Sequence, residues 1–289
     1  AGLGRPAQIA RQAAVASRRI DVDGFAAQSG ARVALIDMDS TPSAHQWFTA
    51  AELGSETFAC DRITADELDP HYNIPVFSLY GEVRRPTGQM MSTADVFLFD
   101  LQDLGCRIYT FVTTLLYLLE EAAKAGKEVW VLDRPNPAGR PVEGMLLVPG
   151  QESFVGAAPM PMRHGLTMGE MGHWFIAHFG LDVAYKVVAM EGWRPDDADG
   201  FGWPTSRLWI NPSPNAANVN MARCYAGTVM LEGTTLSEGR GTTRPLEVLF
   251  GAPDIDAGGV LKVMNKLAPE WLAGAAVREC WFEPTFHKH

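Results

Sequence analysis

The sequence predicts an α/β fold built around a parallel sheet, and three observations support this prediction. Two apolar runs, ADVFLFD at 94–100 and KEVWVLD at 127–133, have the length of strands and are apolar on both faces. The segment between them, CRIYTFVTTLLYLLEEAAKAG, has apolar residues at helical spacing and ends at Gly126, which predicts a helix. Strand, helix and strand in this order form a βαβ unit, whose strands run parallel.

The elements on either side of this unit follow from the same patterns. Residues 1–30 are rich in alanine and arginine and predict a helix and a loop, and apolar runs predict strands at 31–37 and 74–81. After the unit, TMGEMGHWFIAHFG at 167–180 predicts a helix that opens with a T-x-x-E capping box. The run DVAYKVVAME at 182–191 predicts a further strand.

The last part of the chain predicts a second, smaller domain. The loop WINPSPNAANVN is rich in proline and asparagine and marks the seam, so we assign residues 1–222 and 223–289 to the two domains. In the second domain, AGTVMLEG at 226–233 and AVRECWFEP at 276–284 predict strands, and GGVLKVMNKLAPEWL at 258–272 predicts a helix.

The composition argues against several classes of function. With 289 residues, 47% of them apolar, the chain can bury a substantial core, and its net charge of -10 argues against a nucleic-acid surface and against adhesion to anionic lipid. The longest apolar run is too short to span a bilayer, and early arginines interrupt any signal-peptide core. The four cysteines form no C-x-x-C pair and are predicted to be packing thiols, with a disulfide between distant cysteines as the alternative. Neither a metal site nor a serine-nucleophile elbow is predicted.

Polar residues follow both strands of the βαβ unit, at the sheet edge where ligands bind in open α/β sheets. The two strands end in Asp100 and Asp133. Asp103 is predicted either as a catalytic carboxylate or as a cap of the following helix, and RPNP either as a ligand-binding loop or as a proline-fixed turn. The candidate residues in these two loops are Asp100, Gln102, Asp103, Arg107, Arg134 and Asn136.

Further candidates lie later in the first domain. In MRHGLTMGE, Arg163 and His164 are predicted to bind a ligand, whereas Glu170 lies three residues after Thr167 and fits a capping role. Asn215 is a candidate ligand-binding residue, with an Asx turn as the alternative. Three tryptophans of this region form either a sugar-stacking platform or part of the core: Trp193, Trp203 and Trp209.

The segment LEGTTLSEGRGTTRPLE combines three glutamates, two arginines and three glycines. A phosphate-binding loop is disfavoured because no lysine follows the glycines and Pro245 removes an amide donor. A carboxylate site fits better, with Glu232 and Glu238 as acid and base and with Arg240 and Arg244 orienting their charges. A solvated loop of internal ion pairs is the alternative.

Eight motifs follow one another in order after residue 74: PVFSLYGEVRRPT, FLFDLQDLGCRIYTF, VLDRPNPAG, VEG, SFVG, PMRHGLTMGE, PSPN and LEGTTLSEGRGTTRPLE. Together they resemble the DUF1343 family, which includes exo-β-N-acetylmuramidases. The resemblance implies a Rossmann-like N-terminal domain, a smaller C-terminal α/β domain and a cleft between them. It implies hydrolysis of terminal, non-reducing N-acetylmuramic acid from peptidoglycan fragments, outside the cytoplasm and without a cofactor.

The resemblance also implies roles for individual residues. Glu238 and Glu232 are the candidate catalytic residues, with Asp103 of the first domain facing them. An arginine fork suits the lactyl carboxylate of this substrate, and the residues expected to hold the substrate are Arg240, Arg244 and His164. The remaining substrate-binding candidates are Asp100, Gln102, Arg107, Arg134, Asn136, Glu143, Arg163 and Asn215.

Two features depart from the family pattern. Family members carry a GPEHG-like segment with a favoured catalytic glutamate, whereas the corresponding region here reads FTAAELGSETFACDRIT, and we do not assign that role to Glu56. Relatives continue past FEPTFHKH, so the C-terminal domain is expected to be partial. Two other functions stay open for these reasons: a non-catalytic homologue that binds muropeptides or sugars, and a nucleotide-using transferase.

Overall fold

In a computed structural model of the protein, the structure describes residues 31–37, 56–59, 66–68, 75–79, 82–193, 203, 207–213, 215–248 and 251–283. The chain divides into two compact units, Ala1–Ala226 and Gly227–His289, so the boundary falls slightly after the predicted position. No helix within these ranges is long and apolar enough to cross a membrane. The helix predicted at 1–30 lies outside the described residues.

The first unit contains a sheet that has seven strands over the described residues. The strands are β1 Val33–Asp37, β2 Glu56–Ala59, β3 Glu67–Leu68, β4 Pro75–Ser78, β5 Val96–Phe99, β6 Glu128–Leu132 and β7 Ala184–Val188. Their order is β3-β4-β2-β1-β5-β6-β7. All neighbours run parallel except β3, which is antiparallel to β4. The predicted α/β fold with a parallel sheet is therefore confirmed.

The sequence predicted five of these strands and missed two. The runs predicted as strands contain β1, β4, β5, β6 and β7, and every residue of β5 is buried, as expected for a strand covered on both faces. The strands β2 and β3 were not predicted, because they have only four and two residues and the sequence ETFA of β2 lacks a continuous apolar run.

The chain reverses its direction across the sheet between β1 and β5. From β1 it builds outward through β2 to β4, and it then returns to place β5 on the other side of β1, followed by β6 and β7. Ligands of open α/β sheets bind beyond the carboxyl ends of the strands at such a reversal. Asp100 follows β5, and its N–H donates to the Ile36 carbonyl of β1 at 3.1 Å, so Asp100 lies at this position.

Four helices of the chain are α1 Gly88–Thr93, α2 Phe111–Ala125, α3 Met168–Phe179 and α4 Val219–Thr228. The helix α2 connects β5 to β6, as the βαβ pattern predicted, and it buries most of its apolar side chains. It ends at Gly126, which adopts the left-handed conformation (φ 64°) and donates its N–H to the carbonyls of Ala122 and Ala123.

The start of α3 confirms the predicted capping box. The Thr167 hydroxyl accepts the Glu170 N–H, and the Glu170 carboxylate accepts the Thr167 N–H. Asp133, which follows β6, accepts hydrogen bonds from the Thr167 hydroxyl and from the Gly169 N–H. Burial raises the pKa of Asp133, and these hydrogen bonds oppose that effect. Asp133 therefore joins the sheet to α3.

The regular elements described in the second unit are helices, and two strand predictions there are wrong. Residues 226–233 lie in α4 and in the 3₁₀ helix Val229–Gly233, because Met221, Tyr225 and Val229 recur at helical spacing and are all buried. Residues 276–283 are irregular and, except for Phe282, exposed, without a neighbouring strand among the described residues.

The helix predicted at 258–272 is confirmed, but it is divided into two. The helix α5 covers Ala257–Leu267, and α6 covers Pro269–Leu272. The break falls at Ala268, because the residue before a proline is pushed away from helical backbone angles.

The cysteines fulfil the packing prediction only in part. Cys106 is buried, and burial raises the pKa of its thiol to about 12. Cys224 and Cys280 are exposed, so the prediction of a packing thiol is wrong for these two. Cys60 lies outside the described residues.

Candidate active site

Asp100 and Arg134 form an ion pair at the carboxyl ends of β5 and β6. Arg134 Nε donates to Asp100 Oδ1 at 2.7 Å, and the side chains are 25% and 15% exposed, so solvent reaches both. The two residues were predicted separately from two strand ends, and the structure brings them together at the reversal of the sheet. Arg207, which was not predicted, lies within electrostatic range of both.

Asp103 and His164 form a buried pair next to this edge. The Asp103 Oδ2 atom accepts the Gly105 N–H at 2.7 Å and lies 3.1 Å from His164 Nε2. The His164 Nδ1 atom accepts the Leu166 N–H, so the proton of the neutral ring is on Nε2 and is donated to Asp103. His164 therefore orients Asp103 and, in this structure, has no ring nitrogen left for a substrate.

The alternative role of Asp103 as a helix cap is wrong. The helix α2 begins at Phe111 and has no side-chain cap hydrogen bond at Thr110. Asp103 instead closes a tight turn onto Gly105, which adopts a left-handed conformation (φ 76°) and whose Cβ, if present, would overlap the Asn136 side chain. The Asp103 Oδ1 atom is buried and has no hydrogen-bond partner among the described residues.

Three other predicted ligand-binding residues bond to backbone carbonyls. Gln102 donates to the Asp103 and Pro135 carbonyls, and Asn136 donates to the Leu166 carbonyl. Buried Arg107 donates to the carbonyls of Met145 and Met160, and burial lowers its pKa. These side chains hold the loops of the candidate site together in this structure, whereas the sequence predicted that they contact substrate.

The remaining candidates of the first unit lie on connected loops. Glu143 and Arg163 form an ion pair of 2.8 Å and an isolated β-bridge, and Arg163 also donates to the Arg223 carbonyl. Asn215 lies in a turn and is half-buried. Trp209 Nε1 donates to the Ala216 carbonyl beside it at 2.7 Å.

In the second unit, Arg240 binds both candidate catalytic glutamates. Arg240 Nε donates to Glu238 Oε1 at 2.8 Å, and Arg240 Nη2 donates to Glu232 Oε1 at 2.5 Å. Burial lowers the pKa of Arg240, but the two glutamates raise it, and the net shift is upward. The side chain of Glu238 is 1% exposed and that of Glu232 is 31% exposed, so a substrate can reach Glu232 more readily.

Backbone hydrogen bonds close the loop around these glutamates. The Leu246 N–H donates to the Glu238 carbonyl at 2.7 Å, and Leu246 has a φ of 61°, a conformation that costs about 1–3 kcal/mol for such a residue. Ser237 pairs with Gly251 through two backbone hydrogen bonds. Strain of this kind persists where the surrounding structure fixes it, which is common at functional sites.

Arg244 differs from Arg240 in its surroundings. It forms an exposed ion pair of 3.1 Å with Glu247. Both residues line a cavity of about 870 Å³ beside α5, and a second cavity of about 910 Å³ adjoins the same helix. The described residues contain no cluster of three or more potential metal ligands.

Comparison with known proteins gives consistent matches along the chain. Residues 46–220 match a family model described as "Exo-beta-N-acetylmuramidase NamZ, N-terminal", and residues 223–289 match "Exo-beta-N-acetylmuramidase NamZ, C-terminal". The peptidoglycan beta-N-acetylmuramidase NamZ of Bacillus subtilis (strain 168) is 42% identical over 224 residues. This match covers 77% of the present chain and 52% of that protein, so the chain spans about half the length of this curated relative.

Two crystal structures of DUF1343 family proteins from Bacteroides fragilis NCTC 9343 are similar in fold. The first has a TM-score of 0.68 and 28% identity and covers 84% of this chain and 67% of that protein. The second has a TM-score of 0.64 and 27% identity and covers 76% of this chain and 62% of that protein.

Proposed function

Because the chain belongs to the NamZ family of exo-β-N-acetylmuramidases, we propose that it hydrolyses the terminal, non-reducing N-acetylmuramic acid from peptidoglycan fragments. The observation that carries this proposal is that both family models match in succession over residues 46–220 and 223–289. The identity of 42% to a peptidoglycan beta-N-acetylmuramidase supports the same reaction.

The loop around Arg240 contains the carboxylates that this reaction needs. Glycoside hydrolysis requires a group that protonates the leaving oxygen, and either a second carboxylate or the 2-acetamido group of the substrate that acts at the sugar carbon. Glu232 is the accessible carboxylate, and we assign the proton transfer to it. Glu238 is enclosed, and its hydrogen bond to Arg240 Nε fixes the guanidinium that also binds Glu232.

The first unit supplies polar side chains that can bind a sugar. Asp103 is held rigidly by His164 and Gly105, and the Asp100–Arg134 pair lies at the open edge of the sheet. Polar side chains fixed by buried hydrogen bonds bind a sugar with little loss of conformational entropy. We therefore assign substrate binding to this edge of the sheet.

Hydrolysis of a chromogenic β-glycoside of N-acetylmuramic acid tests the proposal. The chain should release the chromophore from this glycoside and not from the corresponding N-acetylglucosamine glycoside. The variant Glu232→Gln should bind the muramic acid glycoside and release far less product. Binding of N-acetylmuramic acid without any hydrolysis by the native chain would contradict the enzymatic proposal and identify a sugar-binding homologue.

A further inference from the structure

Two arginines and one aspartate lie within electrostatic range of one another at the edge of the sheet where ligands are expected. Asp100 follows β5 and pairs with Arg134, which follows Asp133 at the end of β6. Arg207 comes from a later loop, within electrostatic range of both. At neutral pH this group of three side chains carries a net positive charge, although the whole chain carries a net charge of -10.

Aromatic contacts fix the position of Arg207. Its guanidinium carbon lies 5.6 Å from the ring centroid of Trp203, and Trp203 Nε1 donates to the Arg207 carbonyl at 3.3 Å. Trp203 is buried and packs against Trp209 with ring centroids 5.1 Å apart. Trp203 therefore holds Arg207 in place, and Arg207 does not depend on a carboxylate for its placement.

The guanidinium of Arg207 forms no hydrogen bond or ion pair with any described residue. Its pKa is lowered, first by burial and then by the positive charge of Arg134, while Asp100 opposes this effect. An additional anion at this position would bind donors that are already partly desolvated.

The site is accessible, unlike the buried pair beside it. Arg134 and Asp100 are partly exposed and Arg207 is half-buried, whereas Asp103 and His164 are almost completely enclosed. A planar guanidinium presents two parallel donors that match the two oxygens of a carboxylate. The position at the strand reversal is where ligands of such sheets bind.

We propose that Arg207, together with Arg134, forms the subsite for the carboxylate of the lactyl ether in the substrate. This inference rests on the proposed function, because that carboxylate distinguishes N-acetylmuramic acid from N-acetylglucosamine. It replaces the expectation that Arg240 and Arg244 bind this group, since these arginines pair with Glu232, Glu238 and Glu247 in the second unit.

The test compares the muramic acid glycoside with the same glycoside after its carboxyl group is converted to the primary amide. The native chain should show a higher kcat/KM for the acid than for the amide. In Arg207→Gln this preference should fall by about 10- to 100-fold, because a charge-assisted hydrogen bond to the carboxylate is lost. Arg207→Lys keeps the charge without the fork and should retain part of the preference.

A matched control is available at the opposite end of the same sheet. Arg32 pairs with Asp95 just before β1 and β5, so Arg32→Gln removes the same charge far along the strands. Arg32→Gln should keep the acid-to-amide preference of the native chain. If Arg207→Gln has the same unfolding temperature as the native chain and also keeps the acid-to-amide preference, the proposed subsite is wrong.

Equilibrium binding separates this inference from the proposed hydrolysis. Calorimetry would measure the binding of free N-acetylmuramic acid and of its amide to the native chain and to Arg207→Gln. If the native chain binds the acid more tightly than the amide and Arg207→Gln loses this preference, the result supports the subsite. If the same native chain hydrolyses no glycoside, the result contradicts the proposed hydrolysis. Equal binding of acid and amide to the native chain overturns the subsite, whether or not hydrolysis occurs.

Discussion

At the scale of single residues, the two glutamates bound by Arg240 differ in accessibility. The Glu238 side chain is enclosed and bonded to Arg240 Nε, while Glu232 bonds to Arg240 Nη2 and is partly exposed. Removing one partner of a buried ion pair leaves the other charge uncompensated. Substitutions of these glutamates should therefore affect different properties of the protein.

Glu232→Gln should lower kcat by about 10²- to 10⁴-fold, the usual contribution of a general acid or base, with little change in stability. Glu238→Gln should lower the free energy of unfolding by about 1–3 kcal/mol, because Arg240 loses its buried ionic partner. Steady-state kinetics and urea unfolding measure the two effects. Full activity in Glu232→Gln would refute the assignment of proton transfer to this residue.

Asp103 provides a second comparison at the residue scale. Its Oδ2 atom accepts hydrogen bonds from Gly105 and His164. Asp103→Ala should destabilise the chain by about 1–3 kcal/mol, because both donors are left without an acceptor in a buried position. Asp103→Asn keeps an acceptor oxygen and should cost less. Equal unfolding midpoints in urea for these two variants would contradict the hydrogen-bonding role.

At the scale of elements, the βαβ unit was predictable, whereas residues 226–233 and 276–283 of the second unit were not. The strands β5 and β6 are continuous apolar runs, and α2 is a long periodic segment that ends at Gly126, so local sequence and tertiary burial agree. Residues 226–233 form a short apolar run whose pattern fits a strand as well as it fits a helix. Burial of Val229 at the end of α4 decides for the helix.

The candidate site was predictable to a similar extent. Asp100 and Arg134 follow adjacent strands, so the strand order alone brings them together. Arg107 was predicted to bind substrate, yet its partners are the backbone carbonyls of Met145 and Met160, for which no sequence signal exists. Arg207 was missed because its loop carries no motif. The neighbouring tryptophans were the available signal, since arginine stacks on aromatic rings.

The packing of α3 on β7 leads to a prediction about two glycines. A Cβ on Gly172 would overlap the Tyr185 hydroxyl, so Gly172→Ala should destabilise the protein by about 1–3 kcal/mol through overpacking. Gly227 lies in α4 with open space around it, and Gly227→Ala should stabilise the protein by about 0.5–1 kcal/mol. Thermal unfolding measures both. A stabilised Gly172→Ala variant would contradict the contact with Tyr185.

The amino ends of the strands lead to a prediction about pH. Hydrogen bonds from the side chain and backbone of Arg32, and then from Lys127, lower the pKa of Asp95 below its ordinary value. A lowered folded-state pKa gives stabilisation that is fully present above the unfolded-state pKa of about 3.9 and is lost as the pH falls through the folded-state pKa.

The variant Asp95→Asn should therefore be less stable than the native chain at pH 6, by less than about 1 kcal/mol because the pair is largely exposed. The difference should shrink as the pH falls below about 3.9, because the unfolded chain then binds a proton that the folded carboxyl does not. Urea unfolding of both proteins over this range measures the difference. A difference that grows on acidification would contradict the assigned sign.

At the scale of the whole molecule, two compact units divide the functional groups between them. The first unit holds the Asp100, Arg134 and Arg207 cluster at the reversal of its sheet, and the second holds the glutamates around Arg240. The net charge of the chain is -10, which disfavours an anionic substrate at long range. Recognition of a carboxylate therefore depends on locally placed arginines.

Product analysis on a defined disaccharide is the most direct test of the central claim. A β-linked disaccharide with N-acetylmuramic acid at the non-reducing end is compared with the reversed disaccharide, which has N-acetylglucosamine there. The proposed exo-activity predicts that mass spectrometry detects free N-acetylmuramic acid from the first disaccharide and no cleavage of the second. Cleavage of the reversed disaccharide, or no release of N-acetylmuramic acid from the first, would contradict it.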